Sequence, residues 1–105
     1  TIGESLIIKN GKTIHRVNYD EILFCEAQLN YVRFVTNETD IIAYQTLTET
    51  EKLLPDTIFV RSHRSYIVNK NKVKTIEGNQ IVFDKTRFAM IGASFREVFL
   101  EKIGM

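Results

Sequence analysis

Residues 59–69, Phe59-Val60-Arg61-Ser62-His63-Arg64-Ser65-Tyr66-Ile67-Val68-Asn69, constrain what this chain can fold into more than any other stretch. Apolar β-formers, Phe59-Val60 on one side and Tyr66-Ile67-Val68 on the other, flank a short polar segment. That pattern suits two strands or strand-like arms joined at an exposed corner. The corner would gather guanidinium, imidazole and hydroxyl groups. Arg supplies a planar fork of donors, and Ser and His supply shorter donors or acceptors. This set matches phosphate oxygens and base edges. No Asp or Glu lies between 57 and 76, whereas Arg61, Arg64, Lys70, Lys72 and Lys74 all do. A positive run between strands is equally what solvated surface looks like, so both readings stand at this point. His63 taken alone reads as structural.

Overall charge does not choose between them. The formal net charge is +1, where a nucleic-acid binder is typically strongly basic, so an electrostatic argument must rest on distribution. Distribution is uneven: Glu38, Asp40, Glu49, Glu51 and Asp56 precede the basic stretch, with only Lys52 against them. A length of 105 residues with 44% hydrophobic residues fits one domain, 1–105, with a modest core. Cys25 is the single cysteine, which excludes an intrachain disulfide or a cysteine-cluster zinc site and is compatible with the cytoplasm. No stretch approaches the roughly 18 apolar residues of a membrane span, and no signal-peptide pattern opens the chain. The first residue is Thr rather than Met, so we expect a piece of a longer or processed polypeptide.

Along the chain, residues 4–9 and 12–17 flank Asn10-Gly11, the strongest short hairpin signal, and predict an opening β-hairpin with His15 on a strand surface. Residues 19–27 turn from polar to β-type, with Cys25 a small packed residue rather than a reactive thiol. Gln28-Leu29-Asn30 reads as a short corner before a strand in which Tyr31, Arg33 and Val35 share one face and Val32, Phe34 and Thr36 the other. Residues 37–40 form a turn and 41–44 a strand. Thr46 with Glu49 makes a capping box for a short helix, with an apolar stripe from Leu47, Leu54 and Leu53, stopped by Pro55. Strands follow at 73–76, 80–84 and 87–91. Ser94 is placed to cap a last helix from Phe95 to about Ile103, with Phe95, Val98, Phe99 and Leu100 partly on one face. Arg96 falls in its first turn, where a cation is disfavoured unless an anion lies nearby. About eight strands and two helices predict a mainly β, antiparallel domain.

Chemistry-bearing motifs point away from catalysis. There is no Gly-rich phosphate loop, HExxH pair or GxSxG elbow, and the two histidines lie far apart. No nucleophile–base pair or metal-ligand set can be nominated, so neither catalytic residues, metal nor cofactor are expected.

The segment Phe59-x-Arg61-x-His63-Arg64-Ser65-Tyr66-Ile67-Val68-Asn69 closely resembles the signature of the LytTR family, DNA-binding output domains of bacterial response regulators. Further matches are Ile22-x-Phe24-x-Glu26-Ala27 with Asn30-Tyr31-Val32, Thr46-Leu47, and Ile91-Gly92-Ala93-Ser94, in order over nearly the whole chain. The resemblance implies an elongated arrangement of small antiparallel sheets with one or two short helices. It implies DNA contact by loops rather than by a recognition helix, a preceding receiver domain, and binding as a dimer to two spaced half-sites of promoter DNA. Carried over by position, Asn30 and Tyr31, extending to Arg33, match the first contacting loop. Arg64 and Ser65 match the middle loop, with Ser65 on phosphate, and Arg96 matches the base-reading arginine of the last. The chain departs from many members in having Phe95 directly after the serine and Arg96 one later.

The sequence thus predicts sequence-specific binding of double-stranded DNA, with loop side chains at major-groove edges and flanking Lys and Ser on phosphates. The alternative is a β module for protein interaction or ligand sensing, in which the basic stretch is solvated surface. Tyr31 and Tyr66 as buried aromatics, Arg33 paired with an acid on a neighbouring strand, His63 holding the corner and Asn69 holding a turn are the structural roles these residues would otherwise fill.

Overall fold

The Asn10-Gly11 signal sets the first turn. In the computed structural model, which describes residues 5–104, β1 (Ser5–Asn10) and β2 (Thr13–Asn18) pair antiparallel, with Asn10 opposite Thr13. Gly11 has φ 60°, the left-handed conformation an Asn-Gly hairpin turn requires. Glu4, expected in the first strand, lies outside the described residues.

Eight further strands follow among the described residues. β3 (Ile22–Ala27), β4 (Val32–Thr36), β5 (Asp40–Ala43), β6 (Phe59–His63) and β7 (Tyr66–Asn69) form a five-stranded antiparallel sheet in the order β5-β4-β3-β7-β6. β8 (Thr75–Glu77), β9 (Gln80–Val82) and β10 (Phe88–Met90) form a three-stranded sheet in the order β10-β9-β8. The expected small antiparallel sheets are present, with ten strands rather than about eight. The two arms of segment 59–69 are the paired edge and next-to-edge strands of the larger sheet.

That sheet is buried on both faces, which explains why its strands read as continuous apolar runs and not as clean alternation. One face carries Cys25, Val32, Phe34, Phe59 and Ile67, covered by the inner side of the β1–β2 hairpin (Leu6, Ile8, Val17) and by Leu47. The other carries Phe24, Val35, Val60 and Val68, packed against Ile81, Phe83 and Ala89 of the small sheet and Phe99. Val32 and Phe34 therefore face one core and Val35 the other, as period-two alternation requires. A bulge between Ile22 and Phe24 places both Leu23 and Phe24 in the second core. The two sheets are also tied by Arg87, which donates to the Asp84 carboxylate at 2.8 Å and to the Thr36 carbonyl. Extents of 40 × 33 × 27 Å make the elongation modest.

Both helices differ in detail from expectation. α1 (Leu47–Leu53) has its capping box: Glu49 N donates to Thr46 Oγ1 at 3.1 Å, and Thr46 N donates to Glu49 Oε1 at 3.0 Å. These bonds hold the Glu49 carboxyl below the usual carboxylate range, the Thr46 backbone N–H being the largest cause. Thr50 rather than Leu53 completes its buried face, and Leu53 is exposed. α2 (Arg96–Lys102) is not capped by Ser94. Its N-cap is Phe95, already near-helical at φ −105°, ψ −15°, and without a side-chain cap bond. Phe95 N donates to Gly92 O at 3.0 Å, so the chain turns before the helix begins and no extended residue is left to aim an acceptor back. Phe99 alone on α2 is fully buried, and Val98, expected on that face, is exposed.

Candidate nucleic-acid interface

Strand pairing brings several connections to one end of the five-stranded sheet. Ala27 pairs with Val32, Val32 with Ala43, Glu26 with Tyr66, and His63 with Tyr66. The corners 28–31 and 64–65 and the loop after Ala43 therefore share that end. Ala27 N donates to Ser65 O at 2.8 Å, which sets the first two corners side by side. Gly92 N donates to Ser62 O at 2.7 Å and lays the loop before α2 against β6 beside the second corner. Asn30 and Arg64 are thus borne on neighbouring corners, and Arg96 opens the helix that follows the third connection.

The middle corner is built around a bulge between Arg61 and His63. Ser62 turns fully inward, and its hydroxyl donates to Met90 O at 2.9 Å. His63 Nδ1 accepts from Ser65 N at 3.0 Å, so the imidazole proton sits on Nε2 and the ring holds the turn, as the structural reading of His63 expects. Arg61 is spent inward: Nε donates to His63 O at 2.8 Å, Nη2 to Arg64 O at 2.6 Å, and Nη1 to Glu51 Oε1 at 2.9 Å. Arg64 is exposed, and among the described residues its guanidinium has no hydrogen-bond or ion-pair partner. Ser65 is half-buried beside it.

The first corner is closed by Gln28 N donating to Tyr31 O at 2.8 Å. Asn30 is exposed, Tyr31 is half-buried edge-on to Tyr44 at 6.1 Å, and Leu29 at the apex is 101% exposed. Arg33 is held on the sheet: Nη2 donates to Glu26 Oε1 at 2.6 Å and Nη1 to Asp40 Oδ2 at 3.1 Å. Glu26 in turn accepts from the Tyr66 hydroxyl at 2.7 Å, so Tyr66, Glu26 and Arg33 form a cross-strand ladder on β7, β3 and β4. Burial, then the Glu26 hydrogen bond and charge, push the Tyr66 phenol up to about 12. The two carboxylates bordering the corners, Glu26 and Glu51, are both matched by arginines, which lessens repulsion of an anion at this end. Burial pushes the Cys25 thiol up and leaves it an inert packed group.

Arg96 lies in the first turn of α2, where its Nη1 donates to Gly78 O at 2.6 Å and Asn79 Oδ1 at 3.0 Å. These acceptors of the β8–β9 turn partly relieve the cation there. Nε and Nη2 make no hydrogen bond among the described residues, and that edge of the guanidinium forms a two-donor fork.

One grouping from the sequence comes apart. β7 runs from the corner at Tyr66 to Asn69, so Lys70, Lys72 and Lys74 are carried to the opposite end, about 3.3 Å further for each residue. They do not flank Arg64 in space. Asn69 holds the turn there, donating to Tyr19 O and Ile22 O and accepting from Asn71 N.

The family model for the LytTr DNA-binding domain matches residues 12–104 of the chain. The chain belongs to this family. Among LytTr relatives, it is 33% identical over 74 residues to the Transcriptional regulatory protein NatR of Bacillus subtilis, covering 70% of this chain and 32% of that protein. It is 26% identical over 105 residues to the Sensory transduction protein LytR of Staphylococcus epidermidis, covering 95% and 42%. Accessory gene regulator protein A of Staphylococcus aureus is 30% identical over 87 residues, covering 80% and 36%. The chain therefore spans well under half the length of these relatives. A solved LytTr DNA-binding domain from Bacillus cereus superposes with a TM-score of 0.84 at 24% identity, over 97% of this chain and 98% of that one, which establishes the shared fold. No helix among the described residues is long and apolar enough to cross a membrane.

Sequence reading alone named Arg61, Glu26 and Leu29 within their motifs but gave none of them a role of its own. The first two carry no signal distinguishing a braced charge from a free one. Leu29 did carry one: an apolar residue between Gln28 and Asn30 at a corner has nothing beneath it to pack on.

Proposed function

We propose that this chain is the DNA-binding output unit of a transcriptional response regulator, gripping one side of double-stranded promoter DNA with three connections. It acts by binding, without catalysis or a cofactor. The observation that carries the reading is the juxtaposition of corners 28–31 and 64–65 with loop 92–95, through the Ala27–Ser65 and Gly92–Ser62 backbone bonds, with Arg64 exposed and, among the described residues, unpaired.

In this reading Arg64 and the Nε/Nη2 edge of Arg96 meet base edges in the major groove, where a guanidinium fork suits guanine O6 and N7. Ser65 donates to phosphate and fixes register. Asn30 offers an amide to base or phosphate, Leu29 an apolar tip to a thymine methyl, and Tyr31 a hydroxyl beside them. Arg33, committed to Glu26 and Asp40, braces the first corner from beneath. A receiver domain preceding the chain, and a second copy on a neighbouring half-site, complete the regulator, which would act in the cytoplasm.

The test is a selection of bound sequences from a random duplex pool, followed by mobility-shift titration of the winners at increasing salt. A retained shift that weakens steeply with salt, by about 0.9 log units per log unit of salt for each phosphate neutralised, supports the reading. No retained salt-dependent shift at low salt would leave the protein-interaction or ligand-sensing alternative in its place.

A further inference from the structure

We propose that Arg61 is the positioning residue of the middle corner, setting how Arg64 and Ser65 are presented to DNA without itself touching DNA. This rests on the three-connection reading above and assigns one of its basic residues a role opposite to the obvious one, a phosphate contact.

A single guanidinium joins three parts of the molecule. It donates to the carbonyls of His63 and Arg64 in the corner and to Glu51 on α1, and it lies 5.9 Å from the centre of the Phe95 ring in the last loop. Its side chain is only 21% exposed. The two carbonyls belong to the peptide groups on either side of the Arg64 Cα. Fixing their directions fixes the backbone on either side of the Arg64 Cα, and with it the line along which that side chain leaves the surface. The bulge makes this clamp necessary: Ser62 is rotated into the core, so the chain on either side of it has lost regular ladder geometry. Glu51 holds the far nitrogen and keeps the guanidinium plane from swinging out. Because the Glu51 side chain is 47% exposed, its ion pair with Arg61 contributes little to stability and acts mainly through geometry. Phe95 against the same group places the loop that precedes Arg96 in register with the corner. Lysine cannot reproduce the arrangement, because a point ammonium lacks the rigid fork that reaches both carbonyls and the carboxylate at once.

The experiment compares wild type, Arg61→Lys, Arg61→Ala, Glu51→Gln and Arg64→Ala by mobility shift on a duplex selected by the wild-type protein and on random duplex, across a salt series. Arg61→Lys is expected to lower the preference for selected over random duplex by about tenfold, with the salt slope and thermal midpoint close to wild type. Arg61→Ala is expected to lose the same preference with the slope unchanged, and Glu51→Gln to lose less in the same direction. In the absence of DNA, the Arg64 and Ser65 amide resonances should move in Arg61→Lys. Wild-type preference in Arg61→Lys, or a slope smaller by about one in Arg61→Ala as for a lost phosphate contact, would overturn the proposal. Should Arg61→Ala fail to fold, Arg61→Lys and Glu51→Gln decide. Loss of preference in Arg64→Ala but not in Arg61→Lys defeats the positioning role alone. If wild type and Arg64→Ala bind selected duplex equally well, the role of Arg64 falls and the proposal with it, whereas a wild-type protein that retains no duplex from the pool removes the functional reading itself.

Discussion

Corners 28–31 and 64–65 connect antiparallel strands at the same end of the same sheet, one backbone hydrogen bond apart, yet they are held in opposite ways. Corner 64–65 is fixed by side chains from within: Arg61 on two carbonyls, His63 on the Ser65 amide, and Ser62 on Met90 O. Corner 28–31 is closed by the Gln28–Tyr31 backbone bond, leans on Tyr44, and leaves Leu29 and Asn30 in solvent. A corner ordered before binding loses little conformational freedom on contact, whereas an open one must be ordered at that moment. Under the proposed function this difference divides the work between a preformed middle corner that discriminates and an adaptable first corner that follows the groove.

The largest effect separating them should appear in DNA binding. Arg64→Ala is expected to cost about 1–3 kcal/mol of specific binding and to relax preference at one base position, the loss of a bidentate Arg–guanine contact. Asn30→Ala should cost less, because part of what its contact gains is offset by ordering the corner. Mobility-shift titrations giving Asn30→Ala the greater loss would reverse the division. Arg96→Ala, at the start of the helix after the third connection, should resemble Arg64→Ala.

Stability separates the corners next. Ser62→Ala leaves the Met90 carbonyl without its hydroxyl donor inside the fold and should lower unfolding free energy by about 1–3 kcal/mol. Asn30→Ala and Leu29→Ala, both on open surface, should stay within about 0.5 kcal/mol of wild type. Urea midpoints for the three variants make the comparison directly.

A smaller effect concerns Tyr66, the residue that opens β7 after the pinned corner. Its phenol pKa is raised from 10.0 to about 12 in the folded protein, so the folded state keeps a proton that the unfolded state has released. The stabilisation is fully present below pH 10 and declines as pH rises from 10 towards 12. Tyr66→Phe should flatten this alkaline decline, and Glu26→Gln should lower the Tyr66 pKa by removing the charge beside it. Equal slopes of urea midpoint against pH in wild type and Tyr66→Phe would show that the ladder does not hold the proton. The finest contrast is in amide exchange: the Ser65 N–H, bonded to His63 Nδ1, should exchange more slowly than those of Leu29 and Asn30.

Much of the fold was legible because its signals are local. Asn10-Gly11 specifies its own turn, Thr46 and Glu49 cap each other across three residues, and Pro55 follows the first helix. The apolar arms at 59–60 and 66–68 announced a strand pair through their β-forming side chains. The predicted Ser94 cap failed because the tight turn from Gly92 to Phe95 contains Ser94, and side-chain type does not report backbone direction. Leu53 and Val98 were misplaced for a related reason: a seven-residue helix has room for only one or two buried positions, and periodicity over so short a span leaves the face undetermined.

What the amino-acid order determined by itself was the series of short strands and turns, the polar corner between two apolar arms, and the residue types gathered there. Only the tertiary structure decided which arginines are free. Arg33 finds Glu26, Arg61 finds Glu51, and Arg96 finds the carbonyl of Gly78, while Arg64 finds nothing among the described residues. Tertiary structure also sent Lys70, Lys72 and Lys74 away from the corner that precedes them in sequence. The physical reason is the same in each case. A charge is satisfied or left open by groups that strand pairing brings to it from elsewhere in the chain, and that pairing is settled by burial on both faces of the sheet, in which the charges themselves take little part.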